Sequence, residues 1–411
     1  MGPVRIEDIG MDGKTWNAMA AVEAWQTFAS WPLPLQWLFV GLFGVVIGSF
    51  LTVVIHRVPI MMARAWEAER AFDLVGPAAR VDDDLVRGRA LAGQAVSAQG
   101  ASDVNDDQAG RRSVTTDQRF DLIQPRSHCP HCGHTLTWYE NLPLLGYLLA
   151  RGRCRACGTG IGLFYPTIEA ATLLLALAAF WRFGAEWQAL AGFGLLSTLL
   201  VLACIDARTQ FLPDVITLPL LWVGLLLNLP IWSHGWHAMA AHGPATGPGA
   251  SDNGSGFLLP DAIDANGAAG ASGGADSGIG SLLADAAFPP RMHEGLFCPL
   301  SEAVIGAAVG YLFLWAVYWV FRLVRGKEGI GYGDFKLLAA LGAWFGWTAL
   351  PQIILVAALS GSVIGMAALA RGRVARDEPL PFGPYLAIAG AITLLFGDLM
   401  TSLVTPWAIG L

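Results

Sequence analysis

Long apolar runs, separated by short basic loops and two polar stretches, set the pattern of this chain. A helix needs about 20 largely apolar residues to cross a bilayer. Eight runs approach that length, at 34–56, 163–183, 187–206, 211–232, 300–322, 333–349, 351–371 and 383–405. Each predicts a helix, and the short run at 333–349 suits a tilted or partly re-entrant one. The first run begins near Leu33 behind a polar, partly acidic tail, which is not the pattern of a cleavable signal peptide. Residues 68–120 contain VDDDLV and SDVNDDQAGRR, and residues 233–297 are rich in Gly, Ala and Ser. Neither stretch can bury much apolar side chain, so both are expected to be flexible insertions.

Composition agrees with the pattern. Hydrophobic residues make up 54% of the 411 residues and charged ones only 14%, with a mean hydropathy of +0.51. Soluble domains carry about 25% charged residues. The expected fold class is therefore an all-α polytopic membrane protein of about eight transmembrane helices. The net charge of −7 comes from acids clustered in the polar stretches and points to no nucleic-acid partner.

Charge also orients the chain. The segment from Arg57 to Gly162 holds thirteen arginines and no lysine. The short loops at Arg208, at Arg322, Arg325 and Lys327, and at Arg371, Arg373 and Arg376 are basic too. The alternate connections carry only Arg182 and Arg291. The positive-inside rule places the basic loops in the cytoplasm and both termini outside. The expected organisation is a tail over 1–33, a first span over 34–56, and a cytoplasmic loop over 57–162. Three spans follow within 163–232, then the far-side insertion at 233–297 and four spans within 298–411.

Four of the six cysteines form two Cys-x-x-Cys pairs, in SHCPHCG and RCRACG. Cys132 and Cys154 are separated by twenty-one residues. Two such knuckles can hold four thiolates tetrahedrally around Zn²⁺, so Cys129, Cys132, Cys154 and Cys157 are the candidate metal ligands. Gly133 and Gly158 close the two turns. Redox-active thiols are the other reading. His128, His131 and His134 are flanking residues that a metal could recruit. A four-cysteine site leaves no open position for water, so it is structural rather than catalytic. Cys204, in an apolar run, reads as a core residue.

The remaining chemistry lies in acids at the edges of apolar runs. Asp206 ends the third run, Asp214 follows Pro213 at the start of the fourth, and Asp334 stands in GIGYGDFKLL. The charge pattern puts all three near the cytoplasmic face. A charged side chain in hydrocarbon costs about 2.5–3.5 kcal/mol on insertion scales, so such acids are capping, paired or functional. Two nearby carboxylates share a proton and can perform aspartic proteolysis. The glycines before Asp334 would let an extended peptide approach the backbone. Helix capping by Asp214, solvated helix ends and a proton-coupled transporter are the other readings.

The motifs taken together resemble the prepilin leader peptidases, bifunctional inner-membrane enzymes of type IV pilus and type II secretion systems. The resemblance rests on GSFLTVVIHRVP (48–59), the cysteine module 127–158, YPTIEA (165–170), IDARTQFLPDVITLPLLWVGLLLN (205–228), GIGYGDFKLLAALGAWFGW (329–347) and PFGPYLAIAG (381–390). It implies that Asp206 and Asp334 are the catalytic pair and that Asp214 is not. It implies cleavage of a basic leader after glycine on the cytoplasmic side, then N-methylation of the new terminus with S-adenosylmethionine. It implies prepilin or pseudopilin substrates, the bilayer and a pilus or secretion machine as partners. Methylation is expected near the cysteine module, with Trp138, Glu140 and Asn141 either as contributors or as structural residues of a zinc-bound loop; a peptidase without methylation is the alternative. The chain departs from the family at Thr52 and Gly146, where Asn and Ser are expected. No glycine-rich nucleotide loop follows a strand, so an ordinary Rossmann cofactor site is not expected.

Overall fold

The computed structural model describes residues 23–74, 120–124, 126–229, 298–326, 331–372 and 381–408. Most of the expected insertions, and residues 1–22 of the tail, lie outside the described residues. The labelled helices are α1 (Leu33–Leu74), α2 (Leu145–Leu149), α3 (Phe164–Phe183), α4 (Trp187–Thr209), α5 (Asp214–Leu227), α6 (Leu300–Arg325), α7 (Tyr332–Phe345), α8 (Leu350–Ala370) and α9 (Gly383–Ala408). A 3₁₀ turn at Trp347–Ala349 leads into α8. Among the described residues there is no strand, only two isolated bridges in the cysteine module.

All eight apolar runs carry a helix, but the helices differ in length. Five are long and apolar enough to cross a membrane: Leu33–Arg70, Phe164–Phe183, Trp187–Thr209, Leu300–Arg325 and Trp347–Ala370. Helices α5 and α7 have 14 residues each. At 1.5 Å per residue that is about 21 Å, less than a hydrocarbon core of about 30 Å. Helix α9 is interrupted at Phe396, whose φ of −133° leaves the helical region. Helix α1 runs on beyond its expected end at 56, through Pro59 to Leu74. Its extension, IMMARAWEAERAF, is built from good helix formers, so the helix outlasts the apolar run. The first residues of the stretch expected as an insertion are therefore helical.

The chain divides into two compact units, one of residues 1–177 with 196–213, the other of residues 178–195 with 214–411. In the first, α1 packs antiparallel on α3 along a stripe of glycines. A Cβ added at Gly44 would stand 2.6 Å from the Ala176 Cβ, and one at Gly48 would stand 2.9 Å from the Glu169 Cα. Small residues let membrane helices approach this closely, because apolar side chains gain little by leaving lipid.

In the second unit, α7 is the centre. It is apolar nearly all round, and a helix of that kind belongs inside. Phe335, Leu337, Leu338, Ala340, Leu341 and Ala343 have no exposed surface. Helix α6 meets it with Gly306 against the Gly342 carbonyl, and a Cβ at Gly310 would lie 2.8 Å from the Leu338 carbonyl oxygen. Helix α5 is joined to it by polar bonds. The Trp344 indole donates to the Leu220 carbonyl at 2.9 Å, and the Asn228 amide donates to the Ala343 carbonyl at 2.9 Å. The Asn228 side-chain oxygen accepts the Cys298 N–H at 3.0 Å, so one buried residue ties the end of α5 to the entrance of α6.

Candidate functional site

The cysteine module is two copies of one turn. Cys129 N–H donates to the His134 carbonyl at 2.8 Å and Gly133 N–H to the Cys129 carbonyl at 2.9 Å. In the second copy Cys154 N–H donates to the Thr159 carbonyl and Gly158 N–H to the Cys154 carbonyl, both at 2.8 Å. Gly133 and Gly158 have φ of +71° and +73°, and a Cβ on either would meet nothing within 4 Å. Backbone conformation rather than space selects glycine there.

The two turns bring the four sulfurs together. All lie within 4.8 Å of one another, and Cys129 to Cys157 and Cys132 to Cys154 are each 3.9 Å apart. Four sulfurs held about 2.3 Å from a tetrahedral zinc stand about 3.8 Å apart. The cluster fits a zinc site, and the four cysteines are free rather than disulfide-bonded. The flanking histidines are not part of this cluster.

The thiols also differ in acidity. The side chain and backbone of Thr159 bring Cys157 down to about 6. A backbone bond at His134 pulls Cys132 down, but burial and the other three thiols outweigh it, and the net value is about 11. Four crowded thiols give up all their protons only to a cation in their midst.

Glu140 braces the module. Its carboxylate accepts the Thr137 N–H at 2.9 Å and the Thr137 hydroxyl at 2.8 Å. His134, from the first turn, stands 3.4 Å from it, and Arg155, from the second, 3.9 Å. The Thr137 bonds hold this carboxyl below its ordinary range. Trp138 and Asn141 are exposed beside it. The glycine at 146 has a local reason: its Cα lies against the Glu140 carbonyl, and a serine Cβ would clash with that backbone. Thr52 is buried, and its hydroxyl donates to the Ser49 carbonyl at 2.7 Å within α1.

The three acids sit in different settings. Asp206 lies in the last turn of α4, in the first unit, and is 4% exposed. The helix closes there, with Gln210 N–H donating to the Asp206 carbonyl and Gln210 at a φ of +53°. Asp334 lies in the first turn of α7, in the second unit, and is 5% exposed. Gly331 caps that helix in an extended conformation, and a Cβ there would be 3.7 Å from an Asp334 carboxylate oxygen. Gly329 lies outside the described residues.

Asp214 differs from both. It opens α5, is half-exposed, and receives both carboxylate contacts from Lys336 Nζ, at 2.6 and 2.7 Å. Sequence reading assigned Lys336 no role. The signal was there: a lysine inside an apolar run, two residues after Asp334, needs an acidic partner. Glu169 was likewise unassigned. It is buried in the second turn of α3 and accepts the Leu144 N–H at 2.7 Å.

Comparison with known proteins gives a consistent result. Residues 42–183 match the Bacterial Peptidase A24 N-terminal domain, and residues 193–247 and 279–366 match the Type IV leader peptidase family. A prepilin leader peptidase/N-methyltransferase of Burkholderia pseudomallei (strain 1026b) is 42% identical over 92% of this chain and 91% of its own. Proteins of the same name from Aeromonas hydrophila and Pseudomonas aeruginosa are 38% and 37% identical, over 89% and 88% of this chain and 94% and 90% of theirs. No solved structure matches.

Proposed function

This chain belongs to the type IV leader peptidase family, and from that membership we propose that it is a bifunctional membrane enzyme. It cleaves the basic leader of type IV prepilins or pseudopilins after glycine and N-methylates the new terminus. The observation that carries the reading is two buried aspartates, Asp206 and Asp334, each in a predominantly apolar helix. Acids rarely survive in such places without a task.

In this reading Asp206 and Asp334 form one catalytic pair that shares a proton. The ionised carboxylate takes a proton from water, whose oxygen attacks the scissile carbonyl carbon. The protonated carboxyl donates to the carbonyl oxygen. Collapse of the tetrahedral intermediate breaks the C–N bond. The carboxyl that took the water proton gives it to the departing amine, and the other carboxylate takes back a hydroxyl proton as the carbonyl re-forms. No covalent enzyme intermediate forms. Asp214 is outside this chemistry, because its carboxylate is engaged by Lys336.

S-adenosylmethionine supplies a methyl group to the freed amine, with S-adenosylhomocysteine as the co-product. Zinc on Cys129, Cys132, Cys154 and Cys157 supplies fixed geometry rather than chemistry. Glu140 and Thr137 hold the segment between the turns. The full topology has eight spans in the bacterial inner membrane, with the module and both catalytic acids toward the cytoplasm. The residues 57–162 form the cytoplasmic loop, and 233–297 lie on the far side. A pilus or type II secretion machine uses the product.

A mass spectrum of a prepilin after incubation with purified enzyme and S-adenosylmethionine tests both halves. The expected product has lost the leader and gained one methyl group. Loss of the leader alone removes the methyltransferase. An intact prepilin, with folded enzyme in lipid, overturns the peptidase.

A further inference from the structure

The short helix α2 turns its apolar face outward. Leu145, Leu148 and Leu149, at helical spacing i, i+3 and i+4, are 57%, 67% and 63% exposed. The opposite side is the packed one. Gly146 lies against the Glu140 carbonyl, and the Tyr147 ring covers Gly152. A face of three adjacent leucines in water is unfavourable, and contiguous exposed apolar surface marks a contact with something.

The anchorage of α2 tells what that contact is. Leu144, just before the helix, donates its N–H to the Glu169 carboxylate at 2.7 Å. Glu169 is the sixth residue of α3, about 7.5 Å along the axis from Phe164. It packs on Gly48, eight residues before the end of the first apolar run at 56, about 12 Å along α1. Two independent helices thus put Glu169 inside the apolar zone. A glutamate side chain reaches about one helical turn, so Leu144 stands within that distance of the same level. Interfacial helices bury their apolar faces about 5–10 Å deep.

Two further observations agree. Leu144 is at φ +56° and ψ −48°, and the Leu145 N–H turns back to the Pro143 carbonyl. This γ-turn is a strained conformation for leucine, held where the Glu169 bond aims the helix. Past α2 come the exposed Arg151 and Arg153, whose charge suits anionic headgroups.

We propose that α2 is a membrane-embedded part of the cysteine module. Its leucine face lies in the acyl region of the cytoplasmic leaflet, and the arginines that follow lie at the phosphate level. The module is then fixed in height by lipid as well as by Glu169, rather than carried free in the cytoplasm. This placement does not depend on which reaction the enzyme performs.

The test uses the full chain in phosphatidylethanolamine and phosphatidylglycerol vesicles that contain a phospholipid with an acyl-chain diazirine. Photolysis followed by peptide mass spectrometry maps the adducts. Adducts on Leu145, Leu148 or Leu149 at a yield comparable to Leu174, an exposed residue of α3, are the expected result. Adducts on Leu174 with none on residues 142–149 would overturn the proposal.

Discussion

The acids of this protein are separated by what each carboxylate touches. Asp214 faces a lysine in a half-exposed setting, whereas Asp206 and Asp334 are buried. Asp206→Asn and Asp334→Asn are each expected to lower leader cleavage by about 10²–10⁴-fold or more, the usual scale of general acid–base loss. Asp214→Asn is expected to retain most of it, as read by the rate of prepilin conversion.

Glu140 makes a pH-dependent contribution. Its folded pKa is lowered, first by the backbone and then by the hydroxyl of Thr137. A lowered carboxyl stabilises the fold at pH values above its unfolded pKa, and that contribution fades as pH falls through the folded value. The melting temperature of Glu140→Gln should therefore lie below wild type at neutral pH. The difference should close in acid, below about pH 4.5.

At the scale of elements, glycine contacts decide how helices meet. Gly306 and Gly342 place the backbones of α6 and α7 in contact, and α7 carries Asp334. Gly306→Ala inserts a methyl group where the Gly342 carbonyl already stands. It should cost about 1–3 kcal/mol, the usual range for overpacking, and reduce cleavage through the seating of α7. Thermal unfolding in lipid and prepilin turnover would measure the two effects. The helices themselves were legible as apolar runs of helical length, but their ends were not. Helix α1 continues past its hydrophobic stretch because its next residues favour helix. Helices α5 and α7 stop at 14 residues although their apolar runs extend further, to 232 and 349.

At the scale of the whole molecule, Glu169 of α3 ties the segment that carries the cysteine module to the membrane helices through the Leu144 N–H. Cys154→Ser should abolish zinc binding, as read by metal analysis of the purified protein; unchanged zinc would exclude the four-cysteine site. The sequence by itself determined the membrane class, the helical runs, the four cysteines and the three acids. Each of these is a local property: hydrophobic length, ligand spacing, or an acid where apolar residues surround it in the chain. Only the tertiary structure decided that the sulfurs converge at tetrahedral spacing, that Asp214 is occupied by Lys336, and that Gly146 is required by a backbone six residues away. It also decided that α2 turns its leucines outward while Glu169 holds its start. Those facts depend on which segments pack together, and a linear pattern of polar and apolar residues does not encode the partner of each contact.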